Sequence, residues 1–242
     1  MIQFGSPTLS SMPPVTKHLL IINCLLWLAT VLLHGTVDLT ALLGMHYFKG
    51  SDFNPLQLFT YMFMHDDSGI GHLFFNMFAL FMFGRLIEMI VGPKRFLIYY
   101  IICGIGAAIV QQATWHFMMP SIVDSIGQMY GEMNYYQTVV EHHIDLNPLY
   151  NQMVTVGASG AVFGILLAVA FFLPNLPIYI YFVAPIKAKW VVLGYAVIEL
   201  LAGLHNGAGD NVAHFAHLGG MLFGIFVLLY WYRGGIRNNL YR

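Results

Sequence analysis

The stretch Thr155-Val156-Gly157-Ala158-Ser159-Gly160-Ala161-Val162-Phe163-Gly164 opens an apolar run that continues through Leu173. Packing alone does not call for a serine between glycines at the mouth of a membrane helix. Ser159 reads as a nucleophile, with the rest of the chain arranged to set a base and an oxyanion site beside it inside a bilayer. Composition supports the setting. Of 242 residues, 58% are hydrophobic and 9% charged, against about a quarter charged in a soluble domain. Such a chain cannot cover itself with polar surface, so lipid must be its solvent. Cys24 and Cys103 both fall inside apolar runs and read as small apolar residues rather than a disulfide. The first apolar run is too long for the core of a cleavable signal, so none is expected.

Crossing the hydrocarbon core takes about 20 apolar residues. Six segments meet that length: 17–34, 72–92, 95–117, 153–173, 187–204 and 212–232. The expected fold is therefore an all-α, six-helix transmembrane bundle over residues 17–232, with tails at 1–16 and 233–242. Lys17, Arg85, Lys94, Arg95, Lys187, Lys189, Arg233, Arg237 and Arg242 fall on one side of that arrangement, and Lys49 on the other. Asp38, Asp52, Asp66, Asp67, Asp124, Glu132, Glu141, Asp145 and Asp210 lie on the Lys49 side. The positive-inside rule then makes both termini cytoplasmic. It puts the long connections 35–71 and 118–152 outside. The first carries an apolar run, Leu56 to His65, that either lies in the interface or is a solvated loop. The second reads as an amphipathic external cap or, equally, a solvated loop.

The second, fourth and sixth segments run from outside to inside, and each carries polar residues near its outer end: His72 and Asn76, then Ser159, then His214 and His217. Ser159 and His217 are expected roughly 9 Å below the outer boundary, at 1.5 Å of rise per residue. Polar side chains at that depth are costly unless they pair or face a wet cavity. Gly160 and Gly164 follow Ser159, and Gly220 and Gly224 follow His217. Such small-residue pairs let helix backbones approach. If those faces meet, the imidazole can take the proton of the serine hydroxyl during attack. His217 is preferred to His214 as base because its glycine spacing faces the Ser159 helix. The Ser159 backbone N–H, the Asn76 amide and the His72 ring are candidate oxyanion donors. Glu199 reads as deep in the fifth span, where a structural hydrogen bond to a neighbouring helix is preferred to a proton relay, and Asp210 reads as a loop residue, so the expectation is a Ser–His dyad without an acid. His46, His65, His116, His205, His142 and His143 read as unspecialised.

At these residues the chain resembles the rhomboid intramembrane serine proteases. The motifs are His72-Leu73-Phe74-Phe75-Asn76, Gly157-Ala158-Ser159-Gly160 and Ala216-His217-Leu218-Gly219-Gly220 with Gly224, in the family's order. The resemblance implies Ser159 as nucleophile and His217 as base, and an oxyanion hole of His72, Asn76 and the Ser159 backbone. It implies transmembrane protein substrates that enter laterally, a partly embedded first external loop, and a cap between the last two helices. No cofactor, metal or nucleic acid is implied. Two departures stand out. Leu56-Gln57 replaces a Trp-Arg pair, and Phe163 replaces a tyrosine that stacks on the base. The compact form looks like a bacterial inner-membrane member with its site open to the external side. Two alternatives compete with this reading. A metal enzyme built on His214, His217 and His72 lacks a His-Glu-x-x-His motif. A silent relative that only binds membrane segments would be expected to lose Ser159 or His217.

Overall fold

The structure is a computed structural model that describes residues 12–67, 69–180, 184–205 and 213–234. Pro7, Asp210, Arg237, Arg242 and most of the expected cap between the last two spans lie outside the described residues. The chain is mostly helical. The elements before the third long helix are α1 (Pro14–Leu33), α2 (Leu39–Leu43), β1 (Met45–His46), α3 (Gln57–Thr60), α4 (Ile70–Ala79) and α5 (Arg85–Val91). Then come α6 (Pro93–Met129), α7 (Tyr135–Glu141), α8 (Asn147–Gln152), β2 (Val154–Thr155) and α9 (Ser159–Phe172). The last four are β3 (Pro177–Ile180), β4 (Ala184–Lys187), α10 (Ala188–Leu204) and α11 (His214–Arg233). A π-helical segment, Leu80–Gly84, joins α4 to α5 in one continuous helix.

Among the described residues, four helices are long and apolar enough to cross a membrane: Pro14–Leu33, Ile70–Val91, Pro93–Met129 and His214–Arg233. The helices α9 and α10 are shorter, at 14 and 17 residues. Large apolar side chains point outward, among them Leu32, Phe75, Phe78, Leu193 and Ile198. This is the surface expected of a chain dissolved in lipid.

Two expected boundaries are corrected. The third span does not stop at 117, because α6 runs on to Met129 through Pro120. Its extension is apolar on one face, where Met119 and Val123 pack with Tyr47 and Val139 in a second small core. That packing holds the helix past the proline, which lacks a backbone donor. The region 118–152 is thus this extension followed by α7 and α8, not a loop. The fourth helix does not start at 153. Residues Val154–Thr155 pair antiparallel with Met45–His46, and the helix begins at Ser159. The all-α expectation also misses this ribbon and a second one, β3 with β4, between α9 and α10.

At the centre α6, α9 and α11 pack on one another. The helix α10 leans on α9 and α11, while α1, α4 and α5 close the opposite side. Small residues make the central approach possible. A methyl placed on Gly220 would overlap the Gly160 carbonyl, and one on Gly160 would overlap Ala107. A methyl on Gly164 or Gly224 would run into α6 instead, at Cys103 and Tyr99. The Tyr99 hydroxyl donates to the Gly164 carbonyl at 2.7 Å. So Gly160 and Gly220 form the direct crossing of α9 and α11, and α6 packs against it through Ala107 and one turn further along through Cys103 and Tyr99.

Buried carboxylate and amide groups fix both ends of the bundle. The first helix, α1, has no capping side chain of its own. Glu88 of α5 accepts from Val15 N at 2.9 Å, Thr16 N at 2.7 Å and Thr16 Oγ1 at 2.7 Å, which satisfies donors a helix start leaves open. In the first long connection the organising side chain is Gln57, only 3% exposed. Its Oε1 accepts from His46 N and Asn54 N, and its Nε2 donates to the Leu42 and Asp52 carbonyls. A compact, ribbon-paired segment results, not a solvated loop. His46, expected to be unspecialised, is buried there, with its ring nitrogens 3.1 and 2.9 Å from the Asn151 and Ala41 carbonyls.

Replacing Gln57 by Leu leaves two donors and two acceptors without partners in a buried segment. The expected cost is about 2–4 kcal/mol, read as a lower thermal midpoint in detergent. An unchanged midpoint would mean that the ribbon alone holds the connection.

Candidate active site

Ser159 is the first residue of α9, and the chain reaches it in an extended path. That path is held on two sides. The strand β2 pairs with β1, and the Gly157 N–H donates to the Tyr61 carbonyl at 3.0 Å. Gly157 has φ +135°, a left-handed conformation that favours glycine. A Cβ there would also lie 3.0 Å from His72 Cε1 and Nε2, and 3.5 Å from Ser159 Oγ. The His72 ring and the Ser159 hydroxyl therefore border the same point. Ser159 is not six residues into its helix, as hydropathy suggests, and His217 is one turn from the start of α11.

The crossing at Gly160 and Gly220 brings the two chemical groups together. Ser159 Oγ lies 2.8 Å from His217 Nε2. The Phe163 ring stacks on the His217 imidazole, with centroids 4.3 Å apart and planes 5° from parallel. Tyr195 of α10 meets Phe163 edge-on. Asn76 is buried, and its Nδ2 donates to the His72 carbonyl at 3.0 Å. One amide hydrogen is thereby committed to its own helix, which leaves the other for a ligand.

One expectation is overturned. Glu199 was read as too deep to serve His217, but α10 runs opposite to α11, and Glu199 lies roughly one and a half turns before the end of α10, at Leu204. That is the end where α11 begins. Its Oε2 sits 2.9 Å from His217 Nδ1 and 2.7 Å from His214 Nδ1. An ionised carboxylate only accepts, so both rings carry their proton on Nδ1, and Nε2 of His217 is left to accept from the serine hydroxyl. The signal that would have found Glu199 was a lone carboxylate in an apolar helix, its depth counted from the correct end.

These three ligand atoms lie within 4.8 Å of one another and could hold a cation. Ligands at about 2.1 Å around a tetrahedral zinc stand roughly 3.3 Å apart. The observed 2.7 and 2.9 Å are hydrogen-bond separations, so the set as it stands is arranged around protons. His72, the third residue of the weighed metal reading, is on the serine side. His65, buried beside His72 with ring centroids 5.2 Å apart, is drawn down to about 3 by burial first and by His72 second, so it is neutral at physiological pH. A cavity of about 750 Å³, lined among others by His34, Asp66, Asp67, Thr155 and Val156, reaches His72 from the side of the first connection.

The arrangement is a hydroxyl bonded to an imidazole whose far nitrogen is bonded to a carboxylate, with a helix start and polar side chains alongside. It suits attack of the hydroxyl on an acyl carbon. Comparison with known proteins agrees. A family model described as Rhomboid domain matches residues 53–234. The Rhomboid protease AarA of Providencia stuartii is 31% identical over 160 residues, covering 64% of this chain and 49% of that protein. The chain thus spans about half the length of this curated relative.

Gly157→Ala should cost about 1–3 kcal/mol through its backbone conformation and push on the His72 ring. A thermal melt of the variant in detergent checks this. A midpoint equal to that of the unaltered protein would mean that the approach to Ser159 is not held as described.

Proposed function

Because the chain belongs to the rhomboid family, we propose that it is an intramembrane serine endopeptidase, cleaving peptide bonds in or near the transmembrane segments of other membrane proteins. The observation that carries the reading is the 2.8 Å contact of Ser159 Oγ with His217 Nε2 between two helices that touch backbone to backbone. In the proposed reaction Ser159 Oγ bonds to the scissile carbonyl carbon while its proton passes to His217 Nε2. The carbonyl oxygen becomes an oxyanion held by the Ser159 backbone N–H, the His72 ring and the Asn76 amide. The C–N bond then breaks, and the amine leaves with the proton from Nε2. Water, reaching the site through the cavity beside His72, attacks the acyl ester. His217 takes its proton and returns it to Ser159 as the acid product departs. No cofactor takes part.

The proposed topology is six crossings, α1, α4 with α5, α6, α9, α10 and α11, in the domain 17–232, with the tails and both termini in the cytoplasm. The short α9, roughly 21 Å long, supports this. It begins inside the bundle because extended chain precedes Ser159. The placement of basic residues supports the orientation, and with it a site that opens to the external side of a bacterial inner membrane. Substrate segments enter from lipid, past the apolar faces of α4 and α10.

A serine-directed fluorophosphonate should form a single adduct on Ser159, seen by intact mass and peptide mapping. The adduct should be absent in Ser159→Ala and His217→Ala, and cleavage of a transmembrane substrate should be abolished in both. Proteolysis by a clean Ser159→Ala preparation would refute the assignment. Asn76→Ala should lower turnover by ~10²–10³ if its amide serves the oxyanion. Unchanged turnover would leave it only the bond to His72.

A further inference from the structure

We propose that Glu199 is a positioning residue that makes the Ser159–His217 pair a three-member relay, with His214 holding the carboxylate from its other side. The inference rests on the serine-protease reading and extends it to a residue that reading does not use. Glu199 is 8% exposed in a helix whose other side chains are largely apolar and lipid-facing. A carboxylate in that setting is costly unless its charge is met by donors. It is met twice at one oxygen, by His217 Nδ1 at 2.9 Å and His214 Nδ1 at 2.7 Å. Three elements converge there. The helix α10 supplies the acid, α11 supplies both imidazoles, and α9 supplies the hydroxyl at the opposite nitrogen of His217.

The chemistry follows from the order of the groups. With its Nδ1–H donated in a hydrogen bond to Glu199, His217 has one tautomer and one ring orientation, and its Nε2 lone pair points at Ser159. When Nε2 takes the serine proton, the ring becomes a cation. The carboxylate then faces a positive charge across the same hydrogen bond, and the Nδ1 proton stays on the ring. Phe163, stacked on the imidazole, excludes water from one face and presents a π surface to that cation. His214 has a different task. Its N–H occupies the same Oε2 and stops the carboxylate from turning away. It needs no contact with Ser159.

A purely structural Glu199 would only tie α10 to α11, and the test separates the two roles. Glu199→Gln keeps a side chain of the same shape. Its amide either accepts from both rings without a charge, or donates to His217 and forces the proton onto Nε2. Either way kcat for a transmembrane substrate should fall on the order of 10²–10⁴-fold, with KM and the thermal midpoint unchanged. Glu199→Asp, which restores the charge, should recover much of the loss. In the proton NMR spectrum of the unaltered protein, a low-field imidazole N–H signal should be present, persist in Ser159→Ala, and vanish in Glu199→Gln. A Glu199→Gln protein with full kcat and full fluorophosphonate labelling overturns the relay while leaving the protease reading intact. Equal losses in Gln and Asp that track a lowered midpoint also overturn it and assign a structural tie. Activity lost to a chelator and restored by zinc would make the cluster a metal site instead. An unaltered protein that neither labels nor cleaves overturns the protease reading itself, and the relay with it.

Discussion

The contact on which the rest depends is the backbone crossing of α9 and α11 at Gly160 and Gly220. Neither position tolerates a side chain, since a methyl on Gly220 would overlap the Gly160 carbonyl and one on Gly160 would overlap Ala107 of α6. That fixes how far apart the two helices lie and their relative register. Ser159 stands one residue before the crossing and His217 about one turn before it, so their 2.8 Å contact follows from where the glycines are. The third partner, α6, adds rigidity where the crossing opens out. Tyr99 there bonds to the Gly164 carbonyl, and Cys103 fills the groove beside Gly164 and Gly224. In lipid, where apolar side chains gain little by meeting one another, close small-residue contacts and interhelical hydrogen bonds are what hold helices together.

A second constraint shapes the approach to the serine. A helix that begins inside a bundle exposes its first backbone N–H groups to the interior, and the chain leading to it has no helical hydrogen bonds of its own. The ribbon with Met45–His46 and the bond from Gly157 to Tyr61 satisfy that stretch. Behind them, Gln57 and Gln112 complete the pattern. Gln112 Nε2 donates to the His46 carbonyl and its Oε1 accepts from Phe48 N. The first connection is therefore part of the site's architecture. Where many rhomboids carry a Trp-Arg pair, this chain has an exposed Leu56 and a buried Gln57, and one amide with four partners organises the segment.

How much of this was legible follows from which features have a fixed period. The approach of the Ser159 and His217 helices at Gly160 and Gly220 was readable because helix contacts recur at three- and four-residue spacing, and that spacing is written in the sequence, while Gly164 and Gly224 turned out to face α6. The place of Phe163 against the imidazole came from the family resemblance, and its ring does stack there. What was missed depends on contacts between segments distant in sequence. The pairing of 45–46 with 154–155 spans more than a hundred residues and leaves only two-residue strands, too short for any alternation to be read. The extension of α6 to Met129 is stabilised by a core shared with Tyr47 and Val139, which no local pattern around Pro120 announces. Hydropathy also set the fourth span too early, because it cannot tell an apolar extended segment from an apolar helix.

The misreading of Glu199 shows how antiparallel packing governs a site of this kind. In a helix that runs outward, a residue late in the segment lies near the same end as a residue early in the next one. Glu199 and His217 are distant within their own helices by count, yet level in the bundle. Once level, a buried carboxylate facing two imidazoles is a coupled unit. In a medium of low polarity, charge attraction is several-fold stronger than in water, so in the proposed reaction the charge forming on His217 would be felt mainly by the group already bonded to it. Two donors on one oxygen keep that group aimed before the charge exists. The carboxylate is then pre-set, and the proposed proton transfer from Ser159 would need no reorientation of it.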